Sequence, residues 1–135
     1  MDAWILYAWQ NGSTYTQIKC ATFKTRFKAV LMGQALKNIL QNALTYTPKD
    51  AVIEISAYEA IDGIHIRILD NGPGLPQEET ERVFEKFYRA DTGITGGTGL
   101  GLTISKSIVL LHGGRITASN RSAGTGAWFD LFLPF

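Results

Sequence analysis

The chain has 135 residues, of which 45% are hydrophobic and 19% charged, with a formal net charge of +1. This is enough apolar material for one domain with a real core, and the near-neutral balance argues against a dedicated nucleic-acid binder, whose surface would be strongly basic. The single cysteine, Cys20, excludes an internal disulfide and suits a reducing compartment.

Cys20, His65 and His112 do not have the spacing of a zinc site. The apolar run Ala3 to Trp9 is too short to span a bilayer and lacks the basic lead-in and cleavage signal of a leader peptide. Residues 1–28 are the least patterned. Tyr15, Ile18, Phe23 and Phe27 interleave with Lys19, Lys24, Arg26 and Lys28, which fits one or two edge strands.

From about Val30 the pattern turns helical. Leu36, Ile39, Leu40, Ala43 and Leu44 form one apolar face, and Pro48 marks its end. Asn38 and Asn42, four residues apart, place their amides on one side of this helix. Two alternating strands follow. Ile53, Ile55 and Ala57 define one, and Ile64, Ile66 and Ile68 the other, with a hairpin at Asp62-Gly63. His65 falls on the polar face, as a solvated or cross-strand histidine.

A short helix is expected from about Gln77 to Phe87, with Glu78 and Glu79 in its first turn. Residues 88–98 have no periodicity and read as a mobile loop. Leu100 to Leu111 reads as a helix with Leu100, Ile104, Ile108 and Leu111 on its apolar side, ended by Gly113-Gly114. His112 sits in the last turn, where a positive charge suits the helix end. Arg115 to Asn120 and Ala127 to Leu133 make a second hairpin around Gly124. The expected fold class is α+β: a two-layer sandwich of a mixed, mostly antiparallel sheet covered on one face by about three helices.

Two glycine-rich turns carry the chemistry. Asp70-Asn71-Gly72-Pro73-Gly74 ends an isoleucine-rich strand with a carboxylate, which is costly there unless partnered. The amino group of a purine is one such partner, and Gly72 and Gly74 would let the backbone approach a base closely. Alone, the run reads equally as a tight turn. Gly99-Leu100-Gly101-Leu102 opens a helix, whose orphan N–H groups and dipole favour an anion. No Gly-Lys-Ser/Thr follows, so it is not a P-loop. It does not follow a strand, so it is not a dinucleotide fingerprint. Asn38 and Asn42 read either as a solvated helix face or as the source of one carbonyl ligand for Mg²⁺, which bridges substrate phosphates.

Four segments in order, Asn38 to Ala43, Asp70 to Gly74, Phe84 to Arg89 and Gly97 to Leu102, resemble the N, G1, F and G2 boxes of sensor histidine kinase catalytic domains. These domains belong to the wider ATPase superfamily of gyrase, the Hsp90 chaperones and the MutL proteins. The resemblance runs from about residue 29 to 134, leaving 1–28 as a separate N-terminal segment. Gly113 to Ile116, Asn120-Arg121 and Leu133-Pro134 resemble the potassium-sensor subgroup.

The resemblance implies an ATP site between the first helix and a lid. By position, Asn42 would ligate Mg²⁺ and Asn38 would support the phosphate side. Asp70 would accept from the adenine amino group, with Gly72 and Gly74 against the base and Tyr46 near the adenine or ribose. Tyr88 and Arg89 would belong to the lid, with Arg89 aimed at the triphosphate. Gly97, Thr98, Gly99, Leu100, Gly101 and Leu102 would wrap the phosphates, and Phe84 and Phe87 would anchor the lid.

ATP-hydrolysing relatives carry a glutamate four residues before the Mg²⁺ asparagine; here that position is Asn38. An amide cannot take a proton at neutral pH, so general-base hydrolysis is disfavoured. The implied reaction is γ-phosphoryl transfer from ATP to a nucleophile delivered from elsewhere, resting on positioning and charge neutralisation. The chain departs from the family at Thr45, where a basic residue is common, and at Trp128, which takes the place of a threonine beside the adenine.

Neither His65 nor His112 resembles the family's phosphoacceptor. The implied partner is therefore a histidine-containing dimerisation module of a parent kinase, with a response regulator reached indirectly. The implied setting is cytoplasmic, the parent lying at the inner face of the cell membrane, with no direct membrane contact by this domain and no nucleic acid. Two other readings are an anti-sigma-type serine kinase, which has a shorter lid, and a non-catalytic nucleotide-binding module.

Overall fold

Alternation in the strands and a 3.6-residue period in the helices place one apolar side of each element toward a shared interior. The computed structural model describes residues 18–19, 28–48, 51–76, 78, 80–86, 100–122 and 124–135. In chain order the elements are β1 (Ile18–Lys19), α1 (Ala29–Tyr46), β2 (Ile53–Glu59), β3 (Gly63–Asp70), a 3₁₀ turn (Arg82–Phe84), α2 (Gly101–Leu111), β4 (Arg115–Asn120) and β5 (Ala127–Pro134). The sheet order is β1-β2-β3-β5-β4. β1 runs parallel to β2, and the other neighbours are antiparallel. The helices cover one face, as the α+β reading requires.

The core lies between that face and the helices. Met32, Leu36, Ile39 and Leu40 of α1 pack with Ile53, Ile68, Phe129 and Leu131 of the sheet. The β2–β3 hairpin forms at Asp62-Gly63, with Ala60 N–H donating to Gly63 C=O at 2.8 Å. Gly63 is required by close approach: a Cβ there would run into the Leu133 carbonyl and the Phe132 ring.

Two expectations are corrected. Instead of one helix over 77–87, the described residues give short 3₁₀ pieces, of which Arg82–Phe84 form a turn closed by Glu85 N–H on Arg82 C=O. Glu85 is already extended, at φ −72°, ψ 147°. Val83 and Phe84 are both buried and anchor this turn to the core. Gln77, Glu79 and Phe87 lie outside the described residues.

The second correction concerns α2. Its buried side is Leu102, Ser105, Ile108 and Val109, whereas Ile104 is 45% and Leu111 78% exposed. The helix is apolar on several sides, so a polar bond selects the seat. Ser105, fully buried, donates its hydroxyl to Ala35 C=O of α1 at 2.8 Å.

Among the described residues, the face of the sheet away from the helices is tiled by side chains. Tyr58 stacks on His65 at 5.0 Å, and Phe132 tilts against His65 at 4.9 Å. Arg67 lies over the rings of Tyr58 and Trp128, and Arg115 over Phe132. Asp130 accepts from His65 Nδ1 at 2.8 Å and from Arg67 Nε at 3.3 Å. His65 is thus the cross-strand histidine of its two readings.

Candidate nucleotide site

Asp70 ends β3 on the covered side of the sheet and is only 6% exposed. Its Oδ1 accepts two backbone N–H groups, from Gly72 at 2.9 Å and Ala127 at 3.2 Å. Among the described residues no partner meets Oδ2. Burial raises the carboxyl above its ordinary value of 3.8; the Gly72 and Ala127 bonds and the Arg121 guanidinium oppose that shift without cancelling it. An ionised group so placed favours a donor brought to its free oxygen.

The turn after Asp70 is held from three sides. Gly72 packs against Thr47, just past the end of α1, where a Cβ would lie 2.7 Å from the threonine methyl. Gly74 has φ +83°, the left-handed region, and faces Asn120 at the end of β4. Asn120 accepts from Leu75 N–H at 2.7 Å and donates to Leu75 C=O at 2.6 Å. Gly126, at φ +132°, lets the β4–β5 turn touch the Asp70 carbonyl, which also accepts from Arg121 Nη1 at 3.4 Å.

α1 links this turn to α2. Asn38 is half-buried; its Nδ2 donates to Gly101 C=O at 3.2 Å, and its Oδ1 accepts from Gln34. Thr47 touches the Asp70 turn at the other end. Asn42 lies between, about 6 Å along the axis from Asn38 and about 7.5 Å from Thr47 at the helical rise per residue. Its amide is half-buried and has no hydrogen-bond partner among the described residues. Tyr46, also half-buried, is the last residue of α1.

α2 begins with no side-chain cap and no acidic residue in its first turn. Gly101 brings that turn against Asn38, with room for a Cβ at 3.7 Å. Leu102 is buried in the core, so only its backbone can face a ligand. Leu100 precedes the helix, and its carbonyl accepts from Ile104 N–H. Thr103 donates its hydroxyl to Phe84 C=O at 2.8 Å, and Phe84 meets Phe129 edge-on at 6.2 Å. The α2 start is thereby tied to the 3₁₀ turn and the core.

The structure brings Asn38, Asn42, Tyr46, Asp70, Gly72, Gly74, Leu100, Gly101 and Leu102 into this region. Tyr88, Arg89, Gly97, Thr98 and Gly99 lie outside the described residues, as do Cys20 and the loop 88–98. Trp128 is corrected: it pairs with Leu69 on the uncovered side of the sheet and donates its indole N–H to Asn120 C=O at 3.2 Å. The neighbouring Ala127 N–H is what meets Asp70. Sequence reasoning also missed the roles of Thr47, Asn120 and Gly126. The cluster of small and polar residues from Asn120 to Gly126 was the local signal for the last two.

Residues 28–135 match the family described as histidine kinase-, DNA gyrase B- and HSP90-like ATPase. The sensor-like histidine kinase SenX3 of Mycobacterium tuberculosis is 40% identical over 107 residues, covering 77% of this chain and 26% of that protein. The sensor protein KdpD of Escherichia coli is 42% identical over 105 residues, covering 77% of this chain and 12% of that protein. Among solved structures, the mycobacterial sensor histidine kinase MprB superimposes with a TM-score of 0.75 at 34% identity, covering 80% of this chain and 74% of that one. The chain belongs to this ATPase family, in its histidine kinase branch. It spans about a quarter or less of the curated sensor kinases it matches. Among the described residues no helix is long and apolar enough to cross a membrane.

Proposed function

We propose that residues 29–135 are the catalytic unit of a sensor histidine kinase, that they bind ATP with Mg²⁺, and that they donate the γ-phosphoryl group to a histidine on a separate dimerisation module. The observation that carries this reading is Asp70: a buried carboxylate with Oδ1 occupied twice and Oδ2 facing no described partner. An adenine amino group satisfies that oxygen. Gly72 and Gly74 let the turn that carries this carboxylate pack against Thr47 and Asn120, and Tyr46 is the last residue of α1.

The donor chemistry fits Mg²⁺. Asn42 offers one neutral oxygen, half-buried and unpartnered, and Mg²⁺ binds through few protein oxygens together with substrate phosphates. Asn42 would hold the ion, which when bound neutralises phosphate charge. The first turn of α2 presents its backbone and the positive end of the helix dipole to the phosphates at Gly101 and Leu102, with Leu100 just before them. The family resemblance assigns Gly97, Thr98 and Gly99 to the phosphate side and Tyr88 and Arg89 to the lid, where Arg89 would supply positive charge.

Asn38 distinguishes transfer from hydrolysis. Its amide is spent on Gly101 and Gln34 and cannot act as a base toward water. The nucleophile is then the imidazole nitrogen of the incoming module. Its N–P bond forms as the bond from the γ-phosphorus to the β–γ bridging oxygen breaks, leaving ADP. The phosphohistidine passes its group onward to a response regulator. The family's usual architecture supports placing the parent at the cytoplasmic face of a membrane.

The test is transfer from γ-labelled ATP to a purified histidine-bearing dimerisation module. Acid-labile, base-stable label on the module is expected. Acid-stable label, or none with a module that accepts phosphate from another kinase domain, overturns the reading.

A further inference from the structure

His112 joins two elements that the nucleotide site depends on. Its Nδ1 lies 2.8 Å from Ile108 C=O, and its Nε2 lies 3.0 Å from Lys28 N–H. A carbonyl only accepts and an amide N–H only donates. The ring must therefore carry its proton on Nδ1 and leave Nε2 bare. This is a neutral imidazole, not the positive charge that its helix-end position suggested. Lys28 is the N-cap of α1, and its own side chain makes no capping bond.

The bond completes a ladder between two antiparallel helices. Lys28 meets His112, Ala35 meets Ser105 at 2.8 Å, and Asn38 meets Gly101 at 3.2 Å. The outer rungs are ten residues apart on α1 and eleven on α2, each about 15 Å of helix. α1 carries Asn42 and α2 opens on the proposed phosphates. A slide of one helix along the other by one residue, about 1.5 Å, would spoil their alignment.

We propose that His112 is a positioning residue for the nucleotide site: a neutral, Nδ1-protonated imidazole that locks the register of α2 against the start of α1. This rests on the reading of the α2 start as the phosphate cradle. It also means that the backbone at Lys28 and the nucleotide report to one another, since coupling between sites is reciprocal.

Two measurements test it on the 135-residue chain. Long-range ¹H–¹⁵N spectra read the tautomer directly. A protonated Nδ1 with a bare Nε2 is expected, and an Nε2-protonated or doubly protonated ring overturns the assignment. Substitutions then separate the two bonds, because asparagine mimics the Nδ1 position and glutamine the Nε2 position. Binding of trinitrophenyl-ATP with Mg²⁺ should weaken about three- to tenfold in His112→Asn, the worth of one hydrogen bond, and be restored toward wild type in His112→Gln.

Lys28→Pro removes the donor, at φ −78°, which proline accepts, and sets the ring Cδ where the N–H pointed at His112 Nε2. It should weaken binding at least as much as His112→Asn, and the two should add less than fully in the double variant. Unchanged binding in Lys28→Pro, full additivity, or a glutamine variant as damaged as asparagine overturns the proposal. Should His112→Asn not fold, Lys28→Pro decides alone. Asp70→Asn is the reference: loss there with intact binding in the His112 and Lys28 variants removes this proposal and leaves the nucleotide site standing. Unchanged binding in Asp70→Asn removes the site reading itself.

Discussion

Asn120 grips the backbone of Leu75 with both ends of its amide, 45 residues away in sequence, at 2.7 and 2.6 Å. The pair substitutes for strand pairing where β3 has ended, and it holds the Gly74 turn against β4. Asn120→Ala removes both bonds and strands the Leu75 groups in a half-buried place. A loss of about 1–3 kcal/mol in denaturant unfolding is expected. Nucleotide affinity should fall about fivefold or more as the turn loosens, read by fluorescent nucleotide titration. Asn120→Asp keeps one bond and should fall between.

Gly74→Ala tests the same turn from the other side. At φ +83° an L side chain is strained, and the new Cβ would sit 2.7 Å from Asn120 Oδ1. The amide can withdraw only by releasing Leu75. The strain and the lost bonds together predict a destabilisation of about 2–4 kcal/mol, larger than that of Asn120→Ala. Thermal unfolding of the two variants side by side gives the order.

Asp70→Asn should keep the fold and abolish nucleotide binding. The amide oxygen can replace Oδ1 on the Gly72 and Ala127 N–H groups, which presents an NH₂ where Oδ2 stood. That donor opposes the donor of adenine, and affinity should drop about 100-fold or more.

The pH dependence follows from the raised Asp70 carboxyl. The folded state holds this proton more tightly than the unfolded chain does. The stability it contributes is therefore fully present below 3.8 and lost as pH rises through the raised value. Asp70→Asn lacks that loss, so at neutral pH it should unfold at the same or a higher denaturant concentration than wild type. Nucleotide binding requires the ionised form. Affinity for ATP should weaken as pH falls through the same range, and binding should release protons, measurable by calorimetry in buffers of different ionisation enthalpy.

Asn42→Ala separates the ion from the base. Its amide has no partner to strand, so stability should change by about 0.5 kcal/mol or less. Titrations with and without Mg²⁺ should show the metal-dependent gain in ATP affinity lost and metal-free binding retained.

The layers were legible in the sequence because α1 has a single apolar face and β2 and β3 alternate cleanly. Asp70 was legible because a carboxylate at the end of an isoleucine strand is an anomaly. α2 was not, since Leu102, Ile104, Ile108, Val109, Leu110 and Leu111 spread around the helix and allow more than one seat. What decides is Ser105 reaching Ala35, a contact across 70 residues that no local pattern encodes. Asn120 was hidden for the same reason. Trp128 was misplaced because alternation in β5 fixes which side each residue faces, and a one-residue offset reverses it.

The tiled reverse of the sheet has a consequence for substitution at one carboxylate. There the guanidinium groups of Arg67 and Arg115 are already laid on aromatic rings, and Asp130 is already answered by His65 and Arg67. Among the described residues of this face Asp130 alone answers both His65 and Arg67, so a change there would leave two donors unmatched at once.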